Sequence, residues 1–171
     1  MTDDHPRPVA TPDVRAADAM WSDYRAAHPD VPLTDPAYTV DHFGDSARLC
    51  DELLDLVMSG RKRATADVLA AFDDRTEEIP QEGSHWIACD STGTPRIVIR
   101  TTAVRIGPFT SADDAFAAAE GEDDGTLESW RREHRRYWQR TAAARGATWS
   151  EEDPIVFEEF AVVWPPELAA S

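Results

Sequence analysis

Apolar positions recur at helical spacing in "DVRAADAMWSDYRAAHPD", where Val14, Ala17, Trp21 and Tyr24 share one stripe. Asp13 precedes that stripe as a cap and Pro29 follows it as a stop, so a helix is predicted between them. "VPLTDPAYTVDHFGD" is a Pro-rich connection with a short extended piece around Tyr38–Val40. In "DSARLCDELLDLVMSG" a second helix is predicted, capped by Asp45 or Ser46, with Leu49, Leu53, Leu56 and Val57 on one side. Gly60 fits the left-handed position just past its end.

The spacing then changes. "HWIACD", the turn "STGTP" and "RIVIRTTAVRI" read as two strands of a hairpin, and "PIVFEEFAVVW" as a closing strand. Between them Ser111 and Asp114 resemble a capping box opening the short helix "ADDAFAAAEG". Thr126 caps a long helix running to about Gly146. On that helix Leu127, Trp130, His134, Tyr137, Trp138 and Thr141 form the core face, which marks His134 as a packed residue. Arg131, Arg132, Arg135, Arg136 and Arg140 lie opposite. They read either as a track for phosphates or as a solvated face partly neutralised by Glu128 four residues before Arg132. Strands flanked by separate helices predict an α+β domain rather than alternating βαβ units.

Composition narrows the function. The 171 residues fit one domain and carry a formal net charge of −16, which works against non-specific contact with polyanions. No apolar run approaches membrane-spanning length, and the N-terminus lacks the charged-then-apolar order of a signal peptide, so a cytoplasmic protein is expected. Cys50 and Cys89, without CxxC spacing, are expected as buried thiols. No phosphate loop, nucleotide fingerprint or Ser-His-Asp spacing is visible, and no cofactor is expected. "EGEDDG" imitates the start of a calcium loop, but Arg131 stands where the closing glutamate belongs, so no metal site is assigned.

Only one of the 17 basic residues is a lysine, Lys62 in "GRKRAT". An amine, unlike a guanidinium, can shift its pKa and act as a base. The alternative is a solvated charge at a helix end, with Thr65 capping "ADVLAAFDD".

The stretch "FGDSARLCDELLDLVMSGRKRATA" resembles an ASCH domain, whose signature is G-x-K-x-x-T-x-R. Gly60, Lys62 and Thr65 match it, and Asp67 stands where the arginine would be. "AEGEDDGTLESWRREHRRYW" and "DPIVFEEFAVVWP" extend the resemblance to a bacterial subfamily of unknown function. It implies a PUA-like mixed β-barrel with peripheral helices, here with an extra N-terminal helix. The expected organisation is a disordered tail at 1–13, a helix and connection at 14–37, the ASCH domain at 38–166 and a short tail at 167–171.

The resemblance implies recognition of RNA or a modified nucleoside in a cleft centred on Lys62. A second reading is hydrolysis there, by an N4-acetylcytidine-type amidohydrolase or a ribonuclease. Lys62 and Thr65 then match catalytic positions, with Glu122, or else Glu120, as the third. Thr65 would attack a carbonyl and a neutral Lys62 would take its proton, which requires a bend that lets the two converge. Arg61, Arg63, Arg131 and Arg135 are the expected nucleic-acid contacts. A third reading is an interaction module whose Arg face meets an acidic protein. The N-terminal helix, with Trp21 and Tyr24 to bury, is expected against the barrel or else against a second copy of the chain.

Overall fold

The computed structural model describes residues 6–169. Helix α1 spans Val14–Ala27, with Asp13 accepting from the amide of Ala16, and α2 spans Ala47–Met58, with Ser46 accepting from that of Leu49. Strand β1, Thr39–Asp41, falls in the extended piece between them. The remaining elements are β2 Ala64–Val68, α3 Leu69–Arg75, β3 His85–Cys89, β4 Pro95–Pro108, α4 Asp114–Glu120, α5 Leu127–Ala144 and β5 Pro154–Trp164.

Five strands form one curled sheet in the order β1-β3-β4-β5-β2, with β1 parallel to β3 and the other pairs antiparallel. The sheet is a half-barrel: β1 and β2 are its two edges. Strand β4 pairs with β3 at one end and with β5 along most of its length. Its register shifts between Thr101 and Ala103, so Thr102 is an extra residue opposite β5. Such a bulge bends a strand and tightens its twist.

Three apolar groups cover this sheet. Ala17 and Tyr24 of α1 pack on Ile87 and Val98, with Trp21 against them. The N-terminal helix is therefore seated on the sheet, and its aromatic face needs no second copy of the chain to bury it. On the other side, Phe43 and the α2 residues Leu54 and Val57 meet Ala88, Ile97, Ile99, Phe160 and Val162. Phe109, Phe116, Trp130, Trp138 and Trp149 bring α4 and α5 against Ile155 and Phe157. Cys50 and Cys89 are buried free thiols.

Two local expectations change. The helix α4 is capped by Asp113, which accepts from the Phe116 amide, while Ser111 closes a 3-10 turn and bonds the Pro108 carbonyl. Of the tail expected to be disordered, residues 1–5 lie outside the described ones. The backbone of Arg7, Ala10 and Asp13 bonds that of Ala47, Ser91 and Gly93, so this stretch lies along the β3–β4 turn.

Candidate active site

Lys62 sits where α2 ends. The amides of Arg61 and Lys62 both reach the Leu56 carbonyl at 3.0 Å, and Gly60 takes φ +85° between them and the helix. Two residues later β2 begins. Its amide neighbour Arg63 donates to the Ala119 carbonyl of α4 at 2.6 Å, which ties the lysine loop to the end of that helix. Gly121, at φ +64°, follows α4, and a Cβ there would lie 2.2 Å from the Arg61 carbonyl oxygen. Only glycine allows this approach.

The consequence is a buried ionic array. Lys62 is 1% exposed, and its Nζ lies 3.3 Å from Glu120 Oε1 and 2.7 Å from Glu122 Oε1. Glu120, also 1% exposed, receives the Trp130 indole N–H on Oε2, the oxygen turned away from Lys62, and that same oxygen stands 3.1 Å from His134 Nε2. His134 Nδ1 donates to the Trp130 carbonyl at 2.9 Å, and its ring stacks on the Trp130 indole at 4.2 Å. With both ring nitrogens facing acceptors, the geometry suits an imidazolium.

Burial pushes the Lys62 pKa down, but Glu120 and Glu122 outweigh it and hold the amine above its ordinary value. Burial likewise pushes Glu120 up, while Lys62, His134 and the Trp130 N–H pull it well below the usual carboxylate range. For His134 burial lowers the pKa and Glu120 raises it further, so the net direction is upward. Stability contributed by this histidine is therefore present below its ordinary value of 6.5 and lost as pH rises through its folded pKa. Histidine NMR titration should place His134 above that value, and Glu120→Gln should bring it back down. A His134 that titrates normally in the unmodified protein would contradict the array.

Lys62, Glu120 and Glu122 thus come together, with both glutamates on the amine. Thr65 does not join them through a hydrogen bond to Lys62 among the described residues, because the amine is drawn to the carboxylates. Nor is β2 a helix capped by Thr65, since α3 begins only at Leu69. Thr65 is paired instead with Glu158 of β5, directly opposite in antiparallel register. Both side chains therefore project from the same face. Glu158 is 7% exposed and accepts from the Thr101 hydroxyl at 2.6 Å.

Beside this array lies a cleft of about 1490 Å³, walled by Glu120, Glu122, Thr65 and Glu158; Lys62 itself is enclosed behind the glutamates and is not part of the wall. It opens between the two sheet edges, with Thr39–Asp41 on one side and Thr65–Asp67 on the other. Glu120, Glu122, His134, Glu158, Trp86 and Tyr137 also line it. His85 lines it too and is held by the Tyr24 hydroxyl at 3.0 Å. Asp67, in place of the signature arginine, pairs with Arg75 at 3.0 Å, so a guanidinium still stands on the cleft wall.

The expected nucleic-acid arginines are differently employed. Arg61 bonds the Asp123 carbonyl, and Arg63 is partly buried with one guanidinium nitrogen enclosed and unpartnered. On α5, Arg135 is tied to Glu151 at 2.5 Å, Arg140 to Asp45 at 2.9 Å, and Arg132 to Glu133 rather than to Glu128. Of the four expected contacts, Arg61, Arg63 and Arg131 keep no salt bridge among the described residues.

Sequence reasoning missed His134 and Glu158. A helical histidine on an apolar stripe reads as core, and its partner Glu120 arrives from a separate helix. Glu158 carried a usable signal: in a strand it shares a face with Phe160 and Val162, both buried. A metal could draw on Glu120, Glu122 and His134, whose ligand atoms lie within 4.8 Å of one another. It would first have to displace the Lys62 ammonium bridging the two carboxylates.

No helix among the described residues is long and apolar enough to cross a membrane. No curated protein matches the chain in sequence. Among solved structures, an ASCH domain from Lactobacillus crispatus JV V101 is similar over 87% of this chain and 94% of its own, at 24% identity and a TM-score of 0.75. A protein from Enterococcus faecalis V583, of a family designated DUF984, is similar over 88% of this chain and 89% of its own, at 30% identity and a TM-score of 0.75. The family model described as the ASCH domain matches residues 39–164, most of the chain, and the protein belongs to that family, with its PUA-like α+β fold.

Proposed function

We propose that this protein recognises RNA through a modified nucleoside, free or in a single strand, held in the cleft beside the Lys62 array. The observation that carries this is the buried Lys62–Glu120–Glu122–His134 array at a cleft that also holds Trp86 and Tyr137. Flat rings and fixed hydrogen-bonding groups are what a splayed-out base requires. A long phosphate track fits less well. The chain is strongly acidic, and most of the arginines on α5 already have carboxylate partners. The same pairing weakens the third reading, an Arg face offered to an acidic protein.

Binding measured against salt tests this. A nucleoside in the cleft should change affinity by less than about threefold between roughly 50 and 200 mM salt, whereas six to ten phosphate contacts would cost about 10³–10⁵. Steep salt dependence for RNA, with no affinity for any nucleoside, would overturn the cleft reading.

Hydrolysis is the second reading, favoured by the placement of Thr65 on the cleft wall beside these groups. Lys62 as found is an ammonium and cannot take the Thr65 proton. Glu122, 23% exposed against 1% for Glu120, is the partner a ligand could displace. With Glu122 withdrawn, burial would press the amine toward its neutral form with less to oppose it. Incubation with acetylated cytidine tests this reading directly. Release of acetate that is lost in Thr65→Val and Lys62→Arg would support it, and turnover unaffected by either would exclude it.

A further inference from the structure

Resting on the cleft reading above, we infer that Glu158 is a specificity-determining residue, whose carboxyl accepts an exocyclic N–H from the base held in the cleft. The residue matches no position of the G-x-K-x-x-T-x-R signature, and it stands apart from the Lys62 array on a different strand.

Its placement is built rather than incidental. The β4 bulge at Thr102 leaves Thr101 opposite Phe160 and Val104 opposite Glu158. Both therefore project on the face that carries Glu158. The Thr101 hydroxyl, itself 1% exposed, is thereby brought to 2.6 Å from Glu158 Oε1. Thr65 stands directly across on β2, and Thr65, Trp86 and Glu158 all line the cleft. Among the described residues Glu158 is in no salt bridge, which sets it apart from Glu120 and Glu122. A buried carboxyl without a cation is costly unless its oxygens find donors. Thr101 supplies one and Trp86 a second, and a ligand in the cleft would supply a further one to the lone pairs that remain.

The chemistry of that ligand follows from the acceptor. A glutamate oxygen takes the amino group of a base, as glutamate takes the N4 amine of cytosine. Adenine and guanine also carry such an amine, whereas uracil presents a carbonyl oxygen there and two acceptors would face each other. Burial pushes the Glu158 carboxyl up, against the Thr101 and Trp86 hydrogen bonds and the Lys62 charge that lower it. Selectivity for amine-bearing bases should accordingly sharpen as pH rises and the carboxylate forms.

Equilibrium binding of cytidine, adenosine and uridine to the full chain tests the assignment. The unmodified protein should prefer the amine-bearing nucleosides to uridine by roughly ten- to a hundredfold, the discrimination one good side chain–base pair provides. Glu158→Met, which removes the acceptor and keeps an apolar side chain of similar length, should abolish most of that preference. Glu158→Gln keeps the shape and can turn its amide N–H₂ to the cleft, so it should shift the preference toward uridine. It serves as the comparison if the methionine variant fails to fold. A purely structural role would change stability and leave the ratio alone. An unchanged ratio in a folded Glu158 variant therefore sinks this inference and leaves the cleft reading intact. Absence of nucleoside binding by the unmodified protein sinks both.

Discussion

Replacing Lys62 with methionine is expected to lower folding stability by about 3–5 kcal/mol, the cost of leaving a buried charge without its partner. Glu120 is the charge left behind. It is 1% exposed, and after the substitution only His134 and the Trp130 indole would face it. Because the cost lies in the abandoned carboxylate rather than in lost methylenes, the double variant Lys62→Met/Glu120→Gln should recover much of it. Urea denaturation at neutral pH, run on both variants, separates the contributions. A single variant within about 1 kcal/mol of the unmodified protein would mean that the amine is not the counter-charge. Lys62→Arg is informative in another way, since the planar guanidinium keeps the charge but cannot occupy the compact space of an ammonium.

Gly121→Ala should be the second severe change, and Gly125→Ala its control. Both glycines have positive φ, +64° and +74°, so alanine costs about 1–3 kcal/mol of backbone strain at either. Around Gly125 nothing lies within 4 Å of the added carbon, while at Gly121 it would meet the Arg61 carbonyl at 2.2 Å. Backbone on both sides must then move apart. Since this contact joins the lysine loop to the end of α4, separation draws Glu120 and Glu122 away from Lys62. Thermal melts should show Gly121→Ala clearly less stable than Gly125→Ala, and the His134 titration should shift only in the former. Equal losses in the two would show that strain, not the contact, was all that mattered.

The fold was legible where local chemistry and tertiary packing agree. Asp13, Ser46 and Thr126 each cap the helix that follows them, and the "STGTP" turn joins β3 to β4. Strand β2 was not legible. "ATADV" has little strand preference of its own, and it is a strand because β5, some 90 residues later, pairs with it. The lone lysine could be found from the signature and the two glutamates from the wider resemblance, but not the state of the amine. That depends on two carboxylates lying within 3.3 Å of an Nζ that is itself buried. Glu158 and His134 were obscured for a common reason. Each sits in an apolar pattern that predicts burial correctly, and burial alone does not reveal which buried groups face one another.

The order of strands also bears on how the protein comes off the ribosome. The sheet runs β1-β3-β4-β5-β2, so the last strand synthesised lies between two made earlier. Until Trp164 has been translated and released, β2 has no neighbour, Thr65 has nothing opposite it, and the long β4 presents an unpaired edge. A nascent chain lacking the final strand therefore has no completed cleft and carries open strand edges prone to pairing with other chains. Premature termination anywhere before residue 154 would then yield a product for chaperones and proteases rather than a weakened binder.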